Sequence, residues 1–161
     1  MQADFRIGTG YDVHRLAEER ALWLGGVQIP FAKGCVAHSD GDVLLHAVCD
    51  ALLGALALGD IGVHFPDTDA QYKNIRSIIL LKRVYNLVID KGFRLVNMDA
   101  TILLQEPKIT PYVVDMRNQI AQTLCVEIEA VSIKATTTEG LGFIGQGEGV
   151  AAQAVVILKH I

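Results

Sequence analysis

The sequence predicts a single α+β domain over residues 1–161, with a four-stranded mixed sheet, a short accessory hairpin and three helices packed on one face of the sheet. Two observations lead to this prediction. Segments that alternate apolar and polar residues are interspersed with segments whose apolar residues recur at helical spacing. Their order, β-β-α-α-β-α-β-β, lacks the strict alternation of a doubly wound fold. The sheet face without helices would still carry apolar residues, so we expect it to be buried in an oligomer.

The chain opens with two β segments. Residues 5–16 are predicted as the first strand, and residues 21–29 as a short hairpin that contains a Gly-Gly pair and ends before a proline. Asp12 and His14 lie two positions apart in the first strand. Because alternate residues of a strand share one face, both side chains can point to one site.

The first predicted helix, residues 41–58, is strongly apolar, with Ser39 or Asp40 as its N-cap and Gly59 as its stop signal. Three polar residues interrupt it at intervals of four: Asp42, His46 and Asp50. Residues four apart lie on one side of a helix, so these side chains form a single polar stripe. We expect the stripe to face a functional site rather than solvent.

The remaining elements are predicted from the same two patterns, alternation for strands and helical spacing for helices. A polar loop is predicted at 60–71, helices at 74–91 and 110–125, and strands at 93–105, 131–136 and 150–158. A glycine-rich segment separates the last two strands and contains Gly140-Leu-Gly142-Phe-Ile-Gly145, which matches a dinucleotide-binding fingerprint. That motif binds a pyrophosphate only where it opens a helix, and here a strand pattern follows. We therefore do not predict a dinucleotide-binding fold.

Composition excludes several classes of function. The net charge of −4 argues against a general nucleic-acid-binding protein. The most apolar run, residues 51–59, is too short to cross a membrane, and the first ten residues lack the core of a signal peptide. Cys35, Cys49 and Cys125 form no paired motif and are expected to be reduced thiols. We expect no nucleic-acid or membrane partner, and a location in the bacterial cytoplasm, or in a plastid stroma after removal of a transit peptide.

Asp12, His14 and His46 form the strongest candidate for a metal site. Two imidazoles and one carboxylate suit a divalent transition metal, and three protein ligands leave a coordination position open. The same ligand set also holds non-haem Fe(II). Each of the three residues taken alone is more commonly a buried or capping residue. The pattern therefore indicates a metal site without deciding which metal it binds.

Two other segments carry groups that suit phosphate. Thr136, Thr137 and Thr138 precede Glu139, whose carboxylate could hold Mg²⁺ against a diphosphate. Lys108 lies in a loop after a proline, where its ammonium could contact a phosphate. A solvated threonine run that ends in a glutamate is an equally good interpretation of the same residues.

Four motifs of the sequence are similar to those of a known family. They are GTGYDVHRL at residues 8–16, AHSDGDVLLHAVCDALLGALALGDIGVHFPDTD at 37–69, QEPK at 105–108 and KATTTEGLGF at 134–143. Together they resemble the 2-C-methyl-D-erythritol 2,4-cyclodiphosphate synthases over nearly the whole chain. The resemblance implies a homotrimeric enzyme of the non-mevalonate isoprenoid pathway, with active sites between subunits and sheets facing inward. Its small-molecule substrate would be 4-diphosphocytidyl-2-C-methyl-D-erythritol 2-phosphate, converted to the cyclic diphosphate and CMP by intramolecular phosphoryl transfer.

The resemblance also implies roles for individual residues. Asp12, His14 and His46 would hold Zn²⁺, Glu139 would hold Mg²⁺ or Mn²⁺ with the substrate diphosphate, and His38 and Thr137 would stabilise the transition state. The residues that would contact substrate are Asp12, Val13, His14, His38, Ser39, Asp60, Ile61, Gly62, Phe65, Pro66, Asp67, Thr68, Asp69, Leu104, Gln105, Glu106, Pro107, Lys108, Ile109, Thr110, Thr136, Thr137, Thr138, Glu139, Phe143 and Gln146.

One position departs from the family pattern. The glycine-rich segment reads GQGEG, with Gln146 where the family often has an arginine that is linked to isoprenoid diphosphate binding in a central trimer cavity. Glutamine cannot neutralise a diphosphate, so we do not carry that binding over. Two other functions compete with the synthase. A non-haem Fe(II) oxygenase would use the same three ligands, and a non-catalytic, zinc-stabilised trimeric protein would bind diphosphates without releasing CMP.

Overall fold

A computed structural model describes residues 4–161; residues 1–3, which belong to the segment considered for a signal peptide, lie outside the described residues. The strands are β1 (Phe5–Glu18), β2 (Leu22–Leu24), β3 (Val27–Ile29), β4 (Lys33–Cys35), β5 (Phe93–Leu103), β6 (Val131–Thr136) and β7 (Gly149–His160). The helices are α1 (Val43–Ala55), α2 (Ile61–His64), α3 (Ser77–Asp90), α4 (Val113–Leu124) and α5 (Gly142–Gly145). None of these described helices is long and apolar enough to span a membrane.

The main sheet has five strands in the order β4-β1-β7-β5-β6. β5 and β6 are parallel, the other neighbours are antiparallel, and β2 and β3 form a separate hairpin. The predicted α+β class, mixed sheet and accessory hairpin are confirmed, but the prediction of four strands is wrong. β1 continues to Glu18 and pairs with β4 in the register Leu16↔Cys35. β4 has only three residues, which is too short a segment for an alternation pattern to reveal.

The long helices lie on one face of this sheet. α1 packs across β1 and β7, α4 packs against β6, and α3 contacts both α1 and α4. On the other face, the described strands leave apolar side chains exposed, with Ile7 at 67%, Tyr11 at 59%, Val13 at 43% and Val155 at 37% of full exposure. A contiguous exposed apolar face of this kind is typical of an interaction surface.

The N-cap of α1 is Asp42, so the prediction of Ser39 or Asp40 as the cap is wrong. The Asp42 carboxylate accepts a hydrogen bond from the backbone N–H of Leu45 at 3.1 Å. The carboxylate of Asp40 instead accepts the backbone N–H of Ser77, at the start of α3. Several residues before a helix can act as its N-cap, and the one that does depends on which of them bind other elements. Local sequence does not show those contacts.

Other boundaries also differ from the prediction. α1 ends at Ala55, before residue 58, and α3 begins at Ser77, after residue 74. The loop predicted at 60–71 contains α2 and a 3₁₀ turn, Ala70–Tyr72. The glycine motif beginning at residue 140 leads into α5, which has only four residues, and then into β7. The predicted strand is confirmed, and the short helix before it is an addition.

We expect Asp42→Ala to lower the free energy of unfolding by at least about 3 kcal/mol. Besides Leu45, the fully buried Asp42 carboxylate accepts the backbone N–H groups of Gly25 at 3.0 Å and Gly26 at 2.8 Å. Alanine would leave three N–H groups without an acceptor, at about 1–3 kcal/mol each. Urea unfolding measures the loss. Asp60→Ala removes an exposed cap, bonded to Val63, and should cost no more than about 2 kcal/mol; equal losses in the two variants would contradict the prediction.

Candidate active site

Three side chains from two distant segments of the chain meet between β1 and α1. The Asp12 Oδ2 atom lies 3.1 Å from Nε2 of His14 and 3.0 Å from Nδ1 of His46. The two ring nitrogens are 3.0 Å apart. Ligands of a tetrahedral zinc ion, at bond lengths of about 2.0–2.1 Å, are separated by about 3.3 Å. The triangle of donor atoms therefore has nearly the size that such an ion requires, and this group could hold a metal.

The close approach of α1 to β1 depends on two glycines in β1. A Cβ atom on Gly10 would lie 1.8 Å from the backbone oxygen of Ala47, and one on Gly8 would lie 1.9 Å from that of Ala51. The helix backbone therefore rests directly on the strand backbone. Ala47 follows His46 in the chain, so this contact sets the distance between the candidate ligand on the helix and the two candidate ligands on the strand.

Hydrogen bonding determines the charge of the triad. Burial by itself would raise the pKa of Asp12, but hydrogen bonds from the rings of His14 and His46 hold that pKa well below its usual value. Burial would lower the pKa of His46, yet the hydrogen bond and negative charge of Asp12 raise it. The metal-free site thus favours an ionised carboxylate beside a protonated imidazole. A cation bound there takes the place of the proton on His46.

We therefore expect zinc affinity to fall as the pH is lowered. Below the raised pKa of His46, a proton competes with the metal for Nδ1, so affinity drops by about tenfold per pH unit from this group alone. Above that pKa the dependence on His46 disappears. Asp12 adds no slope near neutrality, because its lowered pKa keeps it ionised. Competition with a chromophoric chelator at a series of pH values measures this, and an affinity that does not change with pH contradicts it.

The three polar side chains predicted to form one stripe on α1 contact different parts of the protein. Only His46 reaches the triad, because Asp42 caps the helix and binds the β2–β3 turn. The Asp50 carboxylate accepts the backbone N–H of Ile61 at 2.7 Å and so attaches α2 to α1. Burial, reinforced by the charge of Asp40, raises the pKa of Asp42 to about 6, although three backbone N–H groups favour its ionised form.

The cysteines take no part in the triad. Burial raises the pKa of Cys35 to about 12 and that of Cys49 well above its usual value, so both remain thiols. Cys125 is exposed at the end of α4 and is a free cysteine like the other two. The two buried side chains, Cys35 and Cys49, therefore offer neither a thiolate ligand nor a nucleophile.

The triad opens into a cavity of about 530 Å³. Besides the three residues of the triad, the predicted substrate residues that line it are His38, Ser39, Ile61, Gly62, Phe65, Pro66, Asp67 and Thr68. Four further lining residues were not predicted: Ala37, Tyr72, Ile75 and Leu80. Tyr72 packs edge-on against Phe65, with ring centroids 5.4 Å apart, but no local pattern in the sequence marks it.

Two predicted substrate residues support the cavity wall. The Asp60 side chain caps α2 by accepting the backbone N–H of Val63 at 3.0 Å. The Asp69 side chain accepts the backbone N–H of Gln71, and its backbone oxygen lies 3.2 Å from Nε2 of His38. Asp69 thereby fixes the orientation of a histidine that lines the cavity.

A second cavity, of about 490 Å³, gathers the other predicted group. It is lined by Leu104, Gln105, Glu106, Pro107, Lys108, Ile109, Thr110, Thr136 and Thr137, together with Phe31 and Ala135. Glu139 is exposed beside it, with its backbone N–H 3.3 Å from the Thr137 hydroxyl, and Thr138 donates its hydroxyl to the Leu141 carbonyl. Within the described chain, the triad and this group line two different cavities.

The remaining predicted residues lie elsewhere. Val13 points away from its neighbours Asp12 and His14, and it lines a third cavity with Phe143. The Gln146 amide donates a hydrogen bond to the Gly140 carbonyl at 2.9 Å. Val13 lies on the opposite face of β1 from Asp12 because strand neighbours face opposite sides of a sheet, whereas His14 of the triad also borders this third cavity.

The chain is similar to known proteins over nearly its whole length. A model of the YgbB family matches residues 5–159. A 2-C-methyl-D-erythritol 2,4-cyclodiphosphate synthase from Syntrophomonas wolfei is 58% identical over 155 residues, which cover 96% of this chain and 99% of that protein. The synthase of the same name from Alkaliphilus metalliredigens is 60% identical over 151 residues, which cover 94% and 95%.

Solved structures show the same similarity. A 2C-methyl-D-erythritol-2,4-cyclodiphosphate synthase in a CDP-bound form has a TM-score of 0.88 at 39% identity, covering 96% of this chain and 100% of the other. The bifunctional IspDF from Campylobacter jejuni has a TM-score of 0.94 at 48% identity. The match covers 98% of this chain and 42% of that longer one.

Proposed function

The chain belongs to the YgbB family and shares more than half of its residues with cyclodiphosphate synthases, and on this premise we propose the reaction it catalyses. It is an enzyme that converts 4-diphosphocytidyl-2-C-methyl-D-erythritol 2-phosphate to 2-C-methyl-D-erythritol 2,4-cyclodiphosphate and CMP. The observation that carries this proposal is the Asp12, His14 and His46 triangle, which opens into a cavity of suitable size for a small phosphorylated polyol.

The reaction places few covalent demands on the protein. The 2-phosphate of the substrate attacks the β-phosphorus and CMP leaves, so the nucleophile belongs to the substrate. Phosphoryl transfer of this type is catalysed mainly by aligning the reacting oxygens and stabilising their charge. The thiols that line or adjoin the core remain protonated, which agrees with a reaction that needs no protein nucleophile.

We propose that Zn²⁺ is the ion held by Asp12, His14 and His46. Their donor set of two imidazole nitrogens and one carboxylate oxygen suits that metal and leaves a position for a substrate oxygen. A divalent cation there would supply Lewis-acid stabilisation of negative charge on a phosphate. His38 and Ser39 line the same cavity as hydrogen-bond donors, and Ile61 and Phe65 provide apolar contact for the methylerythritol unit.

The second cavity is proposed as the cytidine and diphosphate site. Lys108 offers a positive charge, and Thr136 and Thr137 offer hydroxyl groups to phosphate oxygens. Thr137 would stabilise the transition state, and Glu139 would hold Mg²⁺ or Mn²⁺ together with the diphosphate. An exposed single carboxylate suits this role, since Mg²⁺ is commonly bound by one or two carboxylates plus substrate phosphates.

A homotrimer would unite the two halves of this site. The two cavities are separate within one chain, whereas the substrate has to contact both groups at once. The exposed sheet face around Ile7, Tyr11 and Val155 supplies an apolar surface on which copies of the chain can associate. We propose that the active site lies between subunits. Sedimentation equilibrium tests this, and a monomer at assay concentration would oppose it.

Incubation of the purified protein with the diphosphocytidyl substrate tests the proposed reaction. We expect CMP and the cyclic diphosphate in equal amounts, a loss of both after chelation, and recovery when a divalent metal is restored. Turnover that requires oxygen and bound iron would favour a non-haem Fe(II) oxygenase. Binding of the substrate without release of CMP would identify a non-catalytic diphosphate-binding protein.

A further inference from the structure

The second ring nitrogen of His46 lies between two serine hydroxyl groups. The His46 Nε2 atom is 2.8 Å from Oγ of Ser77 and 3.2 Å from Oγ of Ser39. Ser77 is fully buried, at the first position of α3, whereas Ser39 lines the cavity that the triad opens into. A neutral histidine has one ring hydrogen, so only one of its two nitrogens can carry a lone pair toward a metal.

The Ser77 hydroxyl donates its hydrogen to the carboxylate of Asp40. Ser77 Oγ donates to Asp40 Oδ1, and the Ser77 backbone N–H donates to Asp40 Oδ2 at 2.9 Å. An ionised carboxylate has no hydrogen to give back. The Ser77 oxygen is therefore an acceptor toward His46, and the hydrogen between the two residues belongs to His46 Nε2.

A half-exposed arginine, whose Nε atom is shielded from solvent, places positive charge beside the same carboxylate. Arg76 Nε lies 3.5 Å from Asp40 Oδ2, and it has no hydrogen-bond partner of its own in the described chain. The guanidinium lies 3.7 Å from the centre of the Trp23 ring and donates to the Gly26 carbonyl at 3.3 Å. These contacts attach Asp40 to the β2–β3 hairpin, so the carboxylate that directs Ser77 is itself held in place.

We propose that Ser77 is a positioning residue that fixes His46 in its Nε2–H tautomer and so directs the Nδ1 lone pair toward the metal position. Asp40 orients the Ser77 hydroxyl by accepting its hydrogen, and Arg76 holds the Asp40 carboxylate in place. Ser39 is not required for this task, and its hydroxyl hydrogen remains available to a ligand in the cavity. The inference rests on the proposed metal-binding role of His46 and concerns the metal-loaded site, because without a cation Nδ1 faces the Asp12 carboxylate at 3.0 Å and carries a hydrogen of its own.

Zinc affinity measured by chelator competition provides the first test. We expect Ser77→Ala to weaken zinc binding by about 10–100-fold, the range typical when an outer-shell partner of a ligand is removed. Ser39→Ala is the matched control, because it removes the other hydroxyl beside the same nitrogen, and its zinc affinity should stay within about twofold of wild type. An unchanged affinity in Ser77→Ala, or an equal loss in both variants, overturns the proposal.

Nitrogen NMR of His46 in the zinc-loaded protein provides the second test. In the wild type we expect the metal on Nδ1 and the hydrogen on Nε2, and in Ser77→Ala faster exchange of that hydrogen with water. A wild-type ring bound to zinc through Nε2 overturns the inference even if Ser77→Ala does not fold. If zinc binds through Nδ1 but no CMP is released, the proposed function fails and this inference stands; a protein that binds no zinc overturns both.

Discussion

Replacing His46 with alanine should abolish stoichiometric zinc binding and lower the rate of CMP release by at least about 10³-fold. The loss of Nδ1 leaves two donors, which is fewer than zinc sites normally have. A Lewis acid at a phosphoryl oxygen contributes several kcal/mol of transition-state stabilisation, which corresponds to this change in rate. Metal content by mass spectrometry and single-turnover release of CMP measure the two effects.

His160→Gln is the matched control for that experiment. His160 is an exposed histidine at the far end of β7, where it packs edge-on against Phe93. It lies outside the triad and outside the cavity that the triad opens into. We expect normal zinc content and normal turnover in this variant. Full turnover in His46→Ala would show that the triad is not the centre of the reaction.

Gly10→Ala should destabilise the fold by about 3 kcal/mol or more and weaken zinc binding at the same time. The new Cβ atom would lie 1.8 Å from the Ala47 carbonyl oxygen, so α1 and β1 have to move apart. Overpacking typically costs about 1–3 kcal/mol, and here the clash is with backbone, which has little freedom to yield. His46 would move with α1, away from Asp12 and His14. Urea unfolding and chelator competition on the same preparation measure both losses.

Gly54→Ala tests whether the effect of Gly10→Ala comes from this close approach. Gly54 is an exposed residue in the last turn of α1. A Cβ atom added there would lie 3.8 Å from the Thr9 carbonyl oxygen, which is an ordinary van der Waals distance. Alanine there should stabilise the helix by up to about 1 kcal/mol, with zinc affinity unchanged. If Gly10→Ala were as stable as wild type, packing of α1 on bare strand backbone would not be what positions the ligands.

The periodic pattern of apolar residues predicts the long helices and strands of this protein correctly. Asp12 and His14 could be placed on one strand face because side chains alternate with a period of two, and His46 stood out because the helix around it is apolar. The α+β class followed from the order of the segments. β4 escaped notice because it is short, and it exists only through its pairing with the end of β1.

The residues that support the site were harder to predict. Asp42 and Asp50 share a helix side with His46, yet each binds backbone N–H groups from another element. Ser77 gives no signal in the sequence, since its role depends on the distance between the start of α3 and the side of α1. Contacts of this kind join residues that are far apart in the chain, and no periodic pattern encodes them.

The sequence by itself determined the class of the fold, the identity of the three candidate ligands and the motifs that join the chain to its family. These are properties of residue type and spacing, which local geometry converts directly into shared faces. Only the tertiary structure decided the size of the donor triangle, the separation of the two cavities and the partner of His46 Nε2. Those depend on how closely α1 approaches β1 and α3, and that distance is set by packing between elements.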